Sequence, residues 1–396
     1  MSENMCFDNI KDAVIYVAED FSKYIDNSIS GKKIAIIYDS DPDGICSGVI
    51  LHKLLDLKGA DVVTNMSLDK NIPLFSKKFN DEIVSLDIDL IIMTDISIKG
   101  FAYYDGFSKF REDFPSIDFI IFDHHEDNSD YGSNYYNINN LQTTLSGSQF
   151  CCSKFVYEVC RLIDPNISKY DWVKAIGIIG DTNHITWGKD IIKVIVKDNS
   201  KLSKKGSVEE FKLPSEFDEF FATRYGKASN LIFYGLSKPS NEVNKIYSWV
   251  YSSKDIGELL SHLNIYSDIG FEIDDYVENF DYFMKFSKDV NDLQVFELEV
   301  KSKNSIHSIL SNILSYRDHD LIIFIYQREG AYIYVSLRQQ IGKFDLSKLA
   351  KLANVFDSSN GGGHKVAAGA RIKKDEFYNF KELFYSELGK LEGKND

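Results

Sequence analysis

Four groups of carboxylates in this 396-residue sequence each follow directly on a short apolar run. Lys33–Tyr38 (KIAIIY) leads into Asp39-Ser40-Asp41-Pro42-Asp43-Gly44, and Leu90–Thr94 (LIIMT) leads into Asp95. Phe119–Phe122 (FIIF) leads into Asp123-His124-His125, and the helix-like Gly177-Ile178-Ile179-Gly180 leads into Asp181. Three carboxylates at alternate positions repel one another strongly unless cations stand between them. Gly44 then allows a tight turn into the next element. An EF-hand calcium loop opens with the same pattern, but its twelfth position must be a bidentate Glu and here it is Ile50. Taken singly, Asp95 and Asp181 read as helix caps or turn residues. Six carboxylates and two imidazoles so placed in one domain read instead as an oxygen-rich site for Mn²⁺ or Mg²⁺. Two such ions roughly 3.5–4 Å apart are the apparatus for in-line attack on phosphorus.

A second constellation lies near the C-terminus. Gly361-Gly362-Gly363-His364 is followed by Ala367-Ala368-Gly369, and Ser336-Leu337-Arg338 ends an apolar run upstream. Consecutive glycines let backbone amides approach an anion as a nest, and Arg suits bidentate phosphate contact. His364 can donate to a phosphate oxygen, with Lys365 as a possible reinforcement. Read alone, the four residues would be a flexible hinge with an incidental His.

Elements that could position these residues are visible in the hydrophobic pattern. Asn9–Ile25, Ile45–Leu57, Phe150–Ile163 and Trp172–Ile179 have helical spacing, and Val62–Asn65 adds a strand to the three apolar runs. Alternating strands and helices predict a parallel α/β sheet over residues 1–190, with the acids at the carboxyl ends of its strands. Residues 191–290 read as a helical connector. Residues 291–396 return to strands at Leu293–Val300, Leu321–Tyr326, Tyr332–Leu337 and Ala367–Ile372, with helices at Ser305–Ser315, Leu346–Ala353 and Asp375–Leu391. This makes a smaller α/β domain.

The charge is distributed as unevenly as the motifs. Against an overall −15, residues 1–190 hold 30 acidic and 17 basic side chains, whereas residues 291–396 hold 14 and 15. The acid excess argues against a protein that coats long nucleic acid by bulk charge. Five scattered cysteines form neither a disulfide framework nor a zinc spacing, and the N-terminus lacks the layout of a secretory signal. No apolar run is long enough for a membrane span. A cytoplasmic setting is expected.

The ordered set DSDPDG, TDIS, FDHHED and GIIGDT, before a late SLR and GGGHKVAAGA, resembles the DHH phosphoesterases with a C-terminal DHH-associated domain. Within that family the compact, archaeal-type RecJ-like nucleases are the closest description. The resemblance implies two domains with a cleft between them and two Mn²⁺ ions, with Mg²⁺ possible, acting on phosphodiesters. It implies that Asp39, Asp41 and Asp95 hold one metal, and that Asp43, His124, Asp181 and a bridging Asp95 hold the other. His125 would face the scissile phosphate, Asp123 would orient a ligand histidine, and Arg338, Gly361, Gly362, Gly363 and His364 would grip the phosphate end. Two departures stand out: Asp39 where many relatives place His, and Asn360 where many have a fourth glycine. The expected activity is release of mononucleotides from single-stranded DNA or RNA. Hydrolysis of short oligonucleotides, bisphosphorylated nucleosides or cyclic dinucleotides is the alternative. A silent scaffold built on the same fold is a third reading, and a replication or repair protein is a possible partner. Oligomeric state, polarity and the choice between DNA and RNA stay open.

Overall fold

A computed structural model describes residues 6–67, 73–98, 104–125, 135–145, 149–203, 218–240, 242–285, 287–290, 293–363 and 365–392. The chain divides into two compact units, Met1–Leu236 with Asn241–Ile265, and Ser237–Ser240 with Tyr266–Asp396.

In the first unit the apolar runs become the centre of a parallel sheet. Its strands are β1 (Lys33–Tyr38), β2 (Asp61–Ser67), β3 (Leu90–Thr94), β4 (Asp118–Asp123) and β5 (Tyr135–Asn137), in the order β2-β1-β3-β4-β5. Every neighbouring pair is parallel. β1 and β3 are fully buried from Ile34 and Leu90 onwards, which is why they read as continuous rather than alternating apolar runs. Ala35, Ile37, Ile91, Met93, Phe119 and Ile121 face a cluster built around Phe75, Phe79 and Phe110. The intervening residues face helices: Phe122 meets Phe21 and Phe155, and Tyr38 stacks on Tyr247 at 4.5 Å between ring centroids. The strand order reverses at β1, from which the chain steps one way to β2 and the other way to β3. In open α/β sheets the crevice outside such a switch point is where ligands bind.

The second unit carries a mixed sheet in the order β10-β11-β9-β8-β7-β6. The strands are β6 (Lys288–Val290), β7 (Leu293–Val300), β8 (Ile322–Glu329), β9 (Tyr332–Arg338), β10 (Asn360–Gly363) and β11 (Ala367–Lys373). Only β7 and β8 are parallel, and helix His307–Ser315 lies in the crossover that such a pair requires. β8 and β9 form a two-residue hairpin with Gly330 at φ 54°, the backbone region the tight turn needs. One sheet face buries Phe324, Ile333 and Leu337 against Phe380 and Phe384 of helix Phe377–Glu392.

The α/β class, the parallel sheet and the smaller second sheet match the sequence expectation. The expected connector, 191–290, contributes helices Arg224–Leu236, Val243–Ser252 and Ile256–Leu263 to the first unit. Ser267–Glu278 and Phe280–Met284 belong to the second. No signal pointed to β5 or β6, each three residues long. The glycine run is also not the flexible hinge that it suggests when read alone. Gly361, Gly362 and Gly363 pair with Ala370, Gly369 and Ala368 as strand β10. Glycine is required there by crowding, because a Cβ on Gly361 would stand 2.0 Å from the Ala350 carbonyl oxygen, whereas one on Gly362 would meet nothing. Gly361→Ala is therefore expected to destabilise the second unit by about 1–3 kcal/mol. Gly362→Ala should stay within about 0.5 kcal/mol of the parent. Thermal denaturation of the two variants side by side checks this, and equal melting temperatures would contradict it.

Candidate metal centre

Each carboxylate of the first unit is delivered to the crevice by a strand end or a helix end. Asp39 follows β1 and Asp95 follows β3, and their amides extend the sheet ladder to the carbonyls of Thr94 and Phe122. Asp41 is the N-cap of helix Pro42–Leu57, and its Oδ1 accepts from the Gly44 amide at 2.8 Å. A side chain on Gly44 would stand 2.4 Å from the Asp39 carbonyl oxygen, so only glycine lets this helix begin so close to β1. Asp43 points the other way, into the start of helix Cys152–Ile163. Its two oxygens accept from the amides of Cys152 and Ser153 at 2.7 and 2.9 Å. That helix has no capping side chain of its own, so a remote carboxylate satisfies its first amides. Asp181 ends helix Asp171–Gly180, and Asn183 donates to its Oδ2 at 2.6 Å.

These placements bring candidate ligand atoms into three overlapping groups. Asp39, Asp41 and Asp95 form one, Asp43, His124 and Asp181 a second, and Asp95, His124 and His125 a third, each with its ligand atoms within 4.8 Å of one another. Asp95 and His124 are the shared members. Asp43, Asp95 and His124 are 1, 2 and 7% exposed, whereas Asp39 and Asp41 are half-buried and line the open side. Backbone strain collects at the same place. Asp95 at φ 65° and Thr182 at φ 55° hold the left-handed conformation that L-residues seldom adopt.

Charge repulsion dominates the electrostatics. Burial, reinforced by the neighbouring carboxylates, pushes Asp39 up to about 8 and Asp41 up to about 6. Asp95 and Asp181 are driven well above the usual carboxylate range, first by burial and then by the Asp43 charge. Burial alone would lower His124, yet Asp181 and Asp95 beside it hold it well above its ordinary value. Asp123 is the exception. Burial raises it, but the hydrogen bond and charge of His125 outweigh that and leave it below the ordinary value. Asp123 Oδ1 lies 2.7 Å from His125 Nδ1, so the histidine that it holds is His125.

The donor set fits divalent cations. Asp95 Oδ1 is buried and lies 3.1 Å from His124 Nε2. A carboxylate oxygen and an imidazole nitrogen this close together suit a shared cation. The thiols of Cys46, Cys151 and Cys152 lie among these carboxylates, and burial followed by those charges keeps all three protonated. None of them belongs to the candidate ligand groups among the described residues.

Several supporting residues escaped sequence reasoning. Asn137 donates to the His125 carbonyl at 2.8 Å, and Asn139 donates to that of His124. Gly177 is needed because a Cβ there would collide with Ser153 and crowd Asp43. The only available signal was the Asn-rich text just after the histidine pair. In the second unit, Arg338 ends β9 opposite Ala367 of β11. Its guanidinium donates to the Leu337 carbonyl at 3.0 Å, and no carboxylate pairs with it among the described residues. His364 lies outside the described residues.

The raised carboxylates set a pH dependence with a definite sign. The metal-free native state keeps protons on Asp39 and Asp41 that an unfolded chain, with carboxylates near about 3.9, has released. Their contribution to stability is full below that value and is lost as pH rises through about 6 and about 8. A bound cation requires the ionised forms and cancels this loss. The gain in melting temperature on adding Mn²⁺ is therefore expected to be larger at pH 8.5 than at pH 6. Scanning calorimetry with and without the metal measures it, and an increment independent of pH would contradict the assignment.

Comparison with known proteins places these observations. The DHH family, N-terminal domain, matches residues 33–178, and the DHHA1 domain matches residues 292–390. No curated protein matches the sequence. Among solved structures, RecJ from Thermus thermophilus in complex with Mn²⁺ is similar at a TM-score of 0.66 and 14% identity. That match covers 94% of this chain and 54% of RecJ, so the chain spans about half of that protein's length. An exonuclease RecJ bound to manganese is similar at 0.62 and 16% identity, covering 98% and 96% of the two chains. CDC45 from Entamoeba histolytica is similar at 0.54 and 10% identity, covering 94% and 98%. At these identities the likeness is one of fold. The two domain models, matching in chain order and together spanning more than half of the sequence, make this chain a DHH/DHHA1-family protein.

Proposed function

We propose that the protein is a two-metal phosphodiesterase that releases mononucleotides from single-stranded DNA or RNA. The observation that carries this reading is the overlap of three ligand groups on Asp95 and His124, which offers two adjacent cation positions with shared ligands. In this reading Asp39, Asp41 and Asp95 hold one ion, and Asp43, His124, Asp181 and the shared Asp95 hold the other. Two Mn²⁺ ions, or Mg²⁺ in their place, would neutralise charge developing on the phosphoryl oxygens and lower the pKa of the attacking water. Asp123 accepts from Nδ1 of His125 and so fixes the tautomer and the plane of a ring that meets the scissile phosphate. Arg338 serves the substrate's phosphate end. Burial brings it down only to about 10, so it stays a cation at neutral pH, and no carboxylate among the described residues neutralises it. The strand Gly361–Gly363 and His364 complete that grip.

The overall −15 favours a second reading, hydrolysis of very short oligonucleotides or other small phosphodiesters, because few basic residues remain to track a long backbone. Paired 5′- and 3′-labelled DNA and RNA in a length series, incubated with Mn²⁺, distinguish the two. Processive loss of mononucleotides from long strands supports the first, and turnover confined to the shortest substrates supports the second. Inactivity across metals and substrates would sink both and favour a scaffold that works through a replication or repair partner.

The residue roles are separable in kinetics. Asp95→Ala or His124→Ala should abolish turnover while the chain stays folded. His125→Ala is expected to lower kcat by about 10²–10⁴-fold, and Asp123→Asn by about 10–100-fold. Arg338→Ala should raise KM more than it lowers kcat. Unchanged turnover in the Asp95 or His124 variant would overturn the metal roles.

A further inference from the structure

On the first unit, three helices enclose a pocket of about 280 Å³ that contains none of the candidate metal ligands. Helix Cys152–Ile163 supplies Tyr157, Glu158 and Arg161; helix Asp171–Gly180 supplies Asp171 and Lys174; helix His184–Ser203 supplies Asp190, Lys193 and Lys197. Each carboxylate in the lining is already committed to a cation. Glu158 pairs with Lys154 and Arg161, both at 2.7 Å. Asp190 pairs with Lys154 at 2.6 Å and Lys193 at 3.1 Å, and Asp171 pairs with Lys197 at 2.5 Å.

Lys174 is left over. It is 6% exposed, lines the pocket and has no hydrogen bond or carboxylate partner among the described residues. Its ammonium lies 4.3 Å from the centroid of the Tyr157 ring, whose face offsets only part of the cost of burying a charge. Burial, followed by the nearby Lys154 charge, pulls Lys174 down to about 8 against the opposing charges of Glu158, Asp190 and Asp171, none of which reaches it as an ion pair. Counting Lys154 beneath the lining, five cations face three carboxylates. This local excess lies in the strongly acidic first half of the chain.

We propose that this pocket is a binding site for a small phosphate-class oxyanion, either inorganic phosphate or the phosphate of a monoester, with Lys174 as its buried anchor. Arg161, Lys193 and Lys197 rim the pocket and can turn from their carboxylates towards a dianion. The pocket volume admits a phosphate with a small organic group attached, and the Tyr157 ring forms part of the wall. The anchor shares a helix with Asp181, seven residues further on. This inference does not depend on the proposed reaction.

Acylation of the lysine amines of the full, metal-free chain, mapped by mass spectrometry, tests it with inorganic phosphate and with adenosine monophosphate as separate probes. At a ligand concentration ten times the dissociation constant, Lys174 should be protected about tenfold, while exposed Lys77 is unaffected. Equal protection by both probes identifies the phosphate itself as the ligand, and protection by the nucleotide alone identifies a monoester. Lys174→Met, which removes a buried charge and so should fold at least as well, is expected to lose one phosphate-binding event in calorimetry. Lys193→Gln with Lys197→Gln should weaken the same event. Arg338→Ala should leave protection at Lys174 unchanged. Absence of protection by either probe, or an unaltered phosphate isotherm for Lys174→Met, overturns the proposal.

Discussion

The mutual repulsion of buried carboxylates around Asp95 is the constraint to which the rest of the first unit answers. Five of them, with His124, crowd the carboxyl edge of β1 and β3, and left alone they would protonate or push apart. The fold prevents separation by holding most of them in place. Asp41 caps one helix, Asp43 caps another from a distance, Asp181 is clamped by Asn183, and Gly44 removes the side chain that would force Asp39 away. The left-handed backbone at Asp95 and Thr182 belongs to the same arrangement, strain tolerated where ligand geometry demands it. The stored repulsion makes the native state receptive to divalent cations, because cation binding relieves what the fold imposes.

The second unit solves a different problem with opposite means. Its sheet presents a charged group, Arg338, at the end of β9, opposite Ala367 of β11, whose other edge pairs with the glycine strand β10. The packing against Ala350 is what excludes any larger residue at Gly361. The acidic first unit thus gathers the candidate cation ligands, and the near-neutral second unit carries Arg338 at a strand end.

Lys174 shows the same electrostatic logic inverted. A buried cation whose neighbouring acids are all taken is as unstable alone as a buried carboxylate among carboxylates. In both places an incomplete charge balance, rather than a motif, marks where a small ion belongs. The two places are ends of one chemistry on one helix, Asp171–Gly180, which carries Lys174 in its body and ends at Asp181.

Much of this was legible in the amino-acid order. Parallel strands buried on both faces leave continuous apolar runs, so KIAIIY, LIIMT and FIIF located β1, β3 and β4, and the acids after them located the site. Strands β5 and β6 were not legible, because three residues at a sheet edge leave no periodicity to read. The glycine run carries no side-chain pattern either, and only pairing with β11 makes it a strand. By itself the sequence determined the ligand types, their attachment to strand ends and the charge asymmetry between the two halves. Tertiary structure alone decided that Asp43 caps a helix more than a hundred residues away and that Lys174 is left without an acid within ion-pair distance. Those outcomes depend on which groups meet across the fold, and contacts between remote segments are set by packing rather than by any local spacing.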